Sequence, residues 1–382
     1  MSAQAVACNG MRVLICGWVG STNLGDELVL AGVRRLLGPQ VRSVAVSIDP
    51  TATSTSHGIG AVDHRALGRI ARLARSADLV VLGGGGLIQD ETSPANLPYH
   101  LSRAWLAQLA GTPVVGLALG VGRLSTPLGR QLATTLTSLD AVSVRDAPSQ
   151  ALLAELGVPS VLAADAAIHL TEPRPALEGE PLGATAAPVG SAGDRLVVSL
   201  RPWRGSGGLL PVSWRASRGS APDWLVPLLA DRLDRAVRTT GLPVRFVALQ
   251  TDRDDQVHRA VAARMATRPE VVVPDRHSVL TEIARGRVVV AMRYHAGIAA
   301  TLAGRPSALI GYSPKVDALA DTLGDGARLL WHTPESLEAL DRVIGELVSD
   351  PRAPDAVDGG RAVLMARSAG NRQVLALVGL PV

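Results

Sequence analysis

Lysine is all but missing from this chain: of 38 Lys and Arg residues, every one except Lys315 is arginine. Aromatic residues are scarce too, at 3%. The interleaved basic and aromatic platforms that single-stranded nucleic acid requires are therefore absent. A net charge of +4 scattered along the chain gives no basic stripe, so no nucleic-acid partner is expected. Cys8 and Cys16 are too few for a disulfide framework and lack metal-ligand spacing, so no metal is expected. Cys16, inside an apolar run, reads as a small core residue. No stretch approaches the roughly 18 consecutive apolar residues of a membrane-spanning helix. Residues 1–10 have neither the basic nor the long apolar region of a secretion signal. These lacks predict a reducing, cytoplasmic setting. The lone lysine follows no G-x-x-x-x-G, which excludes a P-loop, and neither the glycines at 17, 20 and 25 nor the run at 83–86 make G-x-G-x-x-G.

What the chain does have is apolar residues, 47% of it, arranged as short β-branched runs alternating with helical segments. That alternation predicts doubly wound parallel sheets. It runs over 11–170, stops in a Pro/Gly/Ala/Glu-rich stretch at 171–194, and restarts over 195–352. The expected architecture is two Rossmann-like α/β domains facing a cleft, a GT-B-like fold. A linker joins them, one helix is expected over 334–348, and a last helix over roughly 360–378, within 353–382, can cross back to the first domain. Residues 51–60 read as a Thr/Ser/Gly loop, and 204–222 as a long Gly/Ser/Arg loop.

The most informative stretch is R-V-V-V-A-M-R-Y-H-A-G-I-A-A-T-L-A-G-R-P-S-A-L-I-G-Y-S-P-K-V, over 287–316. It reads as a buried strand, a turn, a small-residue helix and a second strand that ends near Lys315. Arg293 and His295 fall where a parallel strand hands over to a helix, the edge at which open α/β sheets bind ligands. The helix N-terminus there suits an anion. A compact ammonium is not replaceable by guanidinium in a small polar site, which is a reason for the one lysine to persist. Lys315 leads the list of functional residues.

Other candidates lie at predicted strand ends. The loop G-W-V-G-S-T-N-L-G-D-E, over 17–27, offers Gly20 for close backbone approach and Asn23 and Asp26 as acceptors of sugar hydroxyl protons. It also fits a plain glycine-rich turn with Asp26 capping a helix. G-G-G-G-L-I-Q-D, over 83–90, offers Gly84, Gly85, Gln89 and Asp90 to a polar ligand, or serves only close domain packing. Arg145 in S-V-R-D and Arg201 in L-R-P-W end strands of the two halves. Arg145 beside Asp146 also fits a local ion pair. The Arg65, Arg69, Arg72 face fits a solvated helix surface better than a lipid-binding one.

In that order, these blocks resemble the polysaccharide pyruvyl transferase family over nearly the whole chain. The family pattern G-Y-x-G-x-x-N-x-G-D-E is matched at 17–27, with Trp18 replacing tyrosine. G-G-G-G-L-I-Q-D-E-T-S, S-V-R-D, S-L-R-P-W and M-R-Y-H-A-G are similar to later family blocks. The branch it looks most like adds pyruvate to a lipid-linked sugar of a secondary cell-wall polysaccharide that anchors surface-layer proteins. The resemblance implies phosphoenolpyruvate (PEP) as donor substrate, no cofactor, and PEP ligands at Arg145, His295 and Lys315. It also implies a lipid-linked saccharide acceptor at the inner membrane face, hence a peripheral location; homo-oligomerisation stays open.

The residues themselves are compatible with that chemistry. PEP concentrates a phosphate and a carboxylate, and Arg145, Arg293 and Lys315 form an expected charge clamp. His295 is the expected general acid, toward carbon or toward the leaving phosphate, with Asp26 or Asp90 as base. The alternative is a GT-B glycosyltransferase holding a nucleotide sugar at the focal helix N-terminus. The lack of any Asp or Glu between 293 and 315 to read a ribose counts against it.

Overall fold

The computed structural model describes residues 10–172, 193–202 and 222–380. The expected linker and the long 204–222 loop fall largely outside these residues. The first half runs β1 (Arg12–Val19), α1 (Leu24–Leu37), β2 (Arg42–Ser47), α2 (Pro50–His57), β3 (Gly60–Asp63), α3 (Leu67–Ser76) and β4 (Leu79–Ile88). It continues with α4 (Asn96–Leu109), β5 (Val114–Val121), α5 (Pro127–Thr134), β6 (Ala141–Val144), α6 (Ala147–Glu155) and β7 (Val161–Leu162), then a 3-10 turn at Ala166–Thr171. The second half runs β8 (Arg195–Ser199), α7 (Leu225–Thr240), β9 (Val244–Val247), α8 (Asp254–Ala262), β10 (Glu270–Val272), α9 (Val279–Ala284) and β11 (Gly286–Ala291). After it come α10 (Tyr294–Leu302), β12 (Ser307–Gly311), α11 (Pro314–Leu323), β13 (Ala327–Trp331), α12 (Pro334–Leu337), α13 (Leu340–Ser349) and α14 (Ala353–Leu377).

The strands make two sheets, ordered β3-β2-β1-β4-β5-β6-β7 and β10-β9-β8-β11-β12-β13. Every ladder is parallel, as double-sided burial of Val, Ile and Leu demands. Strand order reverses between β1 and β4 in one sheet and between β8 and β11 in the other. Such switch points open a crevice at the strands' C-terminal ends. Registers in β1, β4 and β5 shift near those ends, re-aiming the chain as bulges do.

The two halves share apolar surface. Leu24, Leu28 and Ala31 of α1 and Ile168 of the 3-10 turn join one buried cluster with Leu280 of α9, Ile298 of α10 and Leu364 of α14. Helix α14 crosses between halves: Asn371 accepts from Ser143 Oγ (2.8 Å) and donates to the Ala164 carbonyl (3.1 Å). Arg372 pairs with Glu172 beside it.

Local chemistry departs from the sequence reading in five places. The expected 51–60 loop is helix α2 followed by β3, because Asp49 caps Ala52 N–H, Pro50 starts the helix and Gly58 ends it in αL. Glycines 83–86 lie inside β4 instead of following it. The single helix expected over 334–348 is broken into α12 and α13. The last helix begins at Ala353, seven residues before 360. Lys315 sits in the first turn of α11 instead of ending β12, since Pro314 opens that helix.

Candidate active site

Three strand ends and one helix start meet between the sheets. Arg145 follows β6, and its guanidinium donates to Asp165 Oδ2 at 2.9 Å, with Asp146 at 3.5 Å. Asp165 follows β7 and is 1% exposed. His295, from the second half, places Nε2 3.5 Å from the same Asp165 oxygen. Arg145 also lies 4.3 Å over the ring of Tyr294. One carboxylate therefore joins the arginine of one sheet to the histidine of the other. Burial would raise that carboxyl, but His295, Arg145 and the Ala167 N–H hold it far below the ordinary range.

The loop at 17–27 closes this cluster from the first half. A Cβ on Gly25 would sit 2.2 Å from His295 Nδ1, so only glycine admits the imidazole against the start of α1. Asn23 caps that helix, its side-chain oxygen accepting from Gly25 N–H, while its amide donates to Asp26 at 2.6 Å. Its backbone belongs to a seam between halves: Leu24 N–H donates to the Leu249 carbonyl (2.7 Å) and Thr251 N–H to that of Thr22 (3.1 Å). Asp26 is half-buried. Burial pushes its carboxyl up to about 6, against the pull of His295 and Arg145.

A second group lies at the ends of β8 and β12. The Arg201 guanidinium stacks 4.4 Å over the Tyr312 ring, and Lys315 Nζ stands 5.6 Å from the same ring. In-register pairing of β11 with β12 brings this group to the edge that holds His295. Burial opposes ionisation of Tyr312, but Lys315, Arg201 and Arg293 together bring its phenol down to about 7.

The charges of these groups differ in one decisive way. Arg145 is matched by Asp165 and Asp146. Arg293 is matched by Asp254, which is 0% exposed, and also donates to Gln250 Oε1 at 3.0 Å. Among the described residues no carboxylate pairs with Arg201 or Lys315. Two cations facing one partly buried phenol lack a counter-anion, and a ligand anion fits there.

The remaining candidates are engaged elsewhere. Asp90 accepts from Ser125 N–H, Thr126 N–H and Thr126 Oγ1 at 2.7–2.8 Å, which ties β4 to the start of α5. Gln89 bonds Thr92 through both ends of its amide. Gly84 has φ +77°, and a Cβ there would lie 1.9 Å from Val29 Cγ1, so it serves packing of α1 on β4. Gly85 faces Asp26, at 3.2 Å from Oδ1 to a Cβ position. Gly20 N–H donates to Glu27, which pairs with His57 at 2.7 Å. Trp18 is 39% exposed and meets Tyr99 edge-on at 5.7 Å.

Sequence reasoning missed Asp165, Asp254 and Tyr312. Asp165 stands in A-A-D-A-A with no polar neighbour, and its only signal was a position just after a short strand. Among the described residues no group of acidic, His or Cys side chains can hold a metal, and no helix is long and apolar enough to cross a membrane.

Residues 23–314 match the family model described as polysaccharide pyruvyl transferase. No curated protein matches the chain. Among solved structures, a putative UDP-N-acetylglucosamine 2-epimerase from Listeria monocytogenes aligns with TM-score 0.63 at 12% identity, covering 96% of each chain. The UDP-GlcNAc 2-epimerase from Neisseria meningitidis bound to UDP-GlcNAc gives 0.56 at 11% identity, covering 96% of this chain and 99% of that one. The glycosyltransferase VinC in complex with dTDP gives 0.51 at 13%, covering 97% and 100%. At these identities the likeness concerns the fold alone, and that fold is GT-B-like.

Proposed function

Because the chain belongs to the polysaccharide pyruvyl transferase family, we propose that it moves the enolpyruvyl group of PEP onto two hydroxyls of a cell-wall polysaccharide sugar and releases phosphate. The observation that carries the donor assignment is the unmatched pair Arg201 and Lys315, one strand away from the Arg145–Asp165–His295 cluster. PEP is small and densely anionic, and among the described residues these are the two site cations without a carboxylate partner. Arg145, already neutralised, orients the substrate and brings little net charge.

Ketal formation joins two acceptor oxygens to the central carbon of PEP. Of the two hydroxyl protons released, one is needed at the methylene carbon and one on the leaving phosphate. Asp26 is the base: a carboxyl raised toward neutrality at a crevice mouth is tuned to accept a proton. Asp90, held by three donors, is not. His295, braced by Asp165, is the general acid. The acceptor is a lipid-linked saccharide met at the membrane surface, with Trp18 at the crevice rim to stack on a sugar face.

The test is phosphate release from PEP with a lipid- or aryl-linked disaccharide. Wild type should turn over, and Lys315→Ala should lose at least about 100-fold in kcat/KM, as removal of a charge-assisted contact of about 3 kcal/mol implies. A wild-type protein inert toward PEP that binds a nucleotide sugar tightly would establish the glycosyltransferase reading instead.

A further inference from the structure

We propose that Tyr312 is the proton carrier for the departing phosphate, taking up a proton when the phosphate arrives between Arg201 and Lys315 and delivering it when the carbon–oxygen bond breaks. The inference rests on the pyruvyl-transfer reading. It assigns the second of the two proton deliveries that ketal formation needs, leaving His295 to protonate carbon.

The geometry is that of a phenol serving as resident counter-ion. Arg201 lies over one part of the ring at 4.4 Å, and Lys315 stands 5.6 Å from the same centroid. Arg293 adds its field from the β11–α10 turn but is spoken for by Asp254 of α8. His332, after β13, and Asp317, in the first turns of α11, are the other titratable groups on neighbouring elements. His332 N–H donates to the Gly311 carbonyl, and Asp317 lies against Gly311. The largest influences on the phenol are burial and, against it, Lys315, Arg201 and Arg293, with a hydrogen bond from the Arg201 side chain. Without a ligand, a phenolate is what balances these cations, and ionisation near pH 7 follows.

A phosphate bearing about two charges reverses this balance. Placed beside the cations, it repels a phenolate and favours phenol, which then donates its O–H to a phosphate oxygen. When the bond from the pyruvyl carbon to the bridging oxygen breaks, its electron pair goes to that oxygen and the phenol proton follows. Hydrogen phosphate leaves, tyrosinate is restored between its two cations, and the second acceptor-hydroxyl proton, taken by Asp26, passes to solvent and balances the proton that Tyr312 took from solvent on binding. No oxidant, metal or further co-reactant enters the step.

The chain makes this readable, because it holds only three tyrosines. Burial pushes both Tyr99 and Tyr294 upward. Tyrosinate absorbance between pH 6 and 9 therefore reports Tyr312 alone (a window about the neutral point). In the full chain, the band should grow through about pH 7 and fall when inorganic phosphate or PEP is added. Calorimetry in buffers of different ionisation heat should show net proton uptake on binding. Tyr312→Phe should lose the band and the uptake and still bind phosphate. Its kcat should drop by roughly 10²-fold or more while KM for PEP changes little. Arg201→Gln, which keeps the phenol, should move the titration upward, so the proposal does not hang on one variant. A wild-type band that is absent below pH 9 or indifferent to phosphate overturns the inference, as does wild-type kcat in Tyr312→Phe. Turnover in a protein whose Tyr312 ignores phosphate leaves the transfer reading intact. A phosphate-responsive Tyr312 in a protein that never releases phosphate from PEP upholds the linked protonation and overturns the transfer reading.

Discussion

Asp165→Asn is the sharpest probe of how the two halves are joined. The change is isosteric and keeps an oxygen for the Ala167 N–H, now 3.0 Å away, but an amide NH2 replaces the oxygen that accepts from Arg145, so the charge and that acceptor are removed together. At 2.9 Å and an effective dielectric of about 20, the Arg145–Asp165 attraction is about 6 kcal/mol gross. Asp146, at 3.5 Å, still faces Arg145 and compensates part of the loss. Removing one partner of a buried pair typically costs about 3–5 kcal/mol, and with both side chains under 5% exposed this site belongs in that class. A domain of this size then melts roughly 6–20 °C lower. His295 loses its brace at the same time, so kcat should fall about 100-fold or more, with KM for PEP less affected. Differential scanning calorimetry and phosphate-release kinetics on the same preparation measure both. The reasoning is refuted if Asp165→Asn melts and turns over like wild type, for then the shared carboxylate neither neutralises Arg145 nor orients His295.

Other outcomes follow from single features of the structure. Asp26 is raised above its ordinary 3.8, so its stabilising contribution is full below that pH and is lost as pH rises through about 6. Asp26→Asn should therefore be more stable than wild type at pH 8, by up to about 3 kcal/mol in urea titrations, yet inactive; a destabilised variant would refute the strained-charge argument. Glu172 shows the opposite sign: burial is outweighed by His169 and Arg372, which hold it down to about 2. Its contribution is present above pH ~4.5 and is lost as pH falls toward 2. Glu172→Gln should accordingly lose roughly 2–3 kcal/mol at pH 7, with the difference vanishing in acid. Gly84→Ala forces a Cβ into Val29 at positive φ and should cost at least about 3 kcal/mol. Gly68→Ala, in exposed α3 with nothing within 4 Å, should instead gain about 0.5–1 kcal/mol. Equal melting of the two alanine variants would contradict the packing account.

The fold was legible because periodicity and burial are local properties. Runs such as V-V-V-A at 288–291 and L-V-V-L at 79–82 announce strands covered on both faces, and the helices between them announce parallel pairing. Helix α2 was not legible by composition, since T-A-T-S-T-S-H has poor helix propensity; Asp49, Pro50 and Gly58 form it through caps. His295 was legible as a residue at a strand's exit, whereas Lys315, expected to end a strand, lies in the first turn of α11. The partner of His295 was not legible, because what makes Asp165 matter is a neighbour 130 residues away, and A-A-D-A-A carries no trace of it.

By itself, then, the sequence determined two parallel α/β halves, the edge at which each presents its polar residues, and the ordered blocks that mark the family. Tertiary structure decided which of these charges carry a carboxylate partner among the described residues. Arg293 was sequestered by Asp254 and Arg145 by Asp165, while Arg201 was left beside Lys315 and Tyr312. The physical reason is distance: side-chain type follows the chain, but charge compensation acts over a few ångströms between segments that only folding brings together.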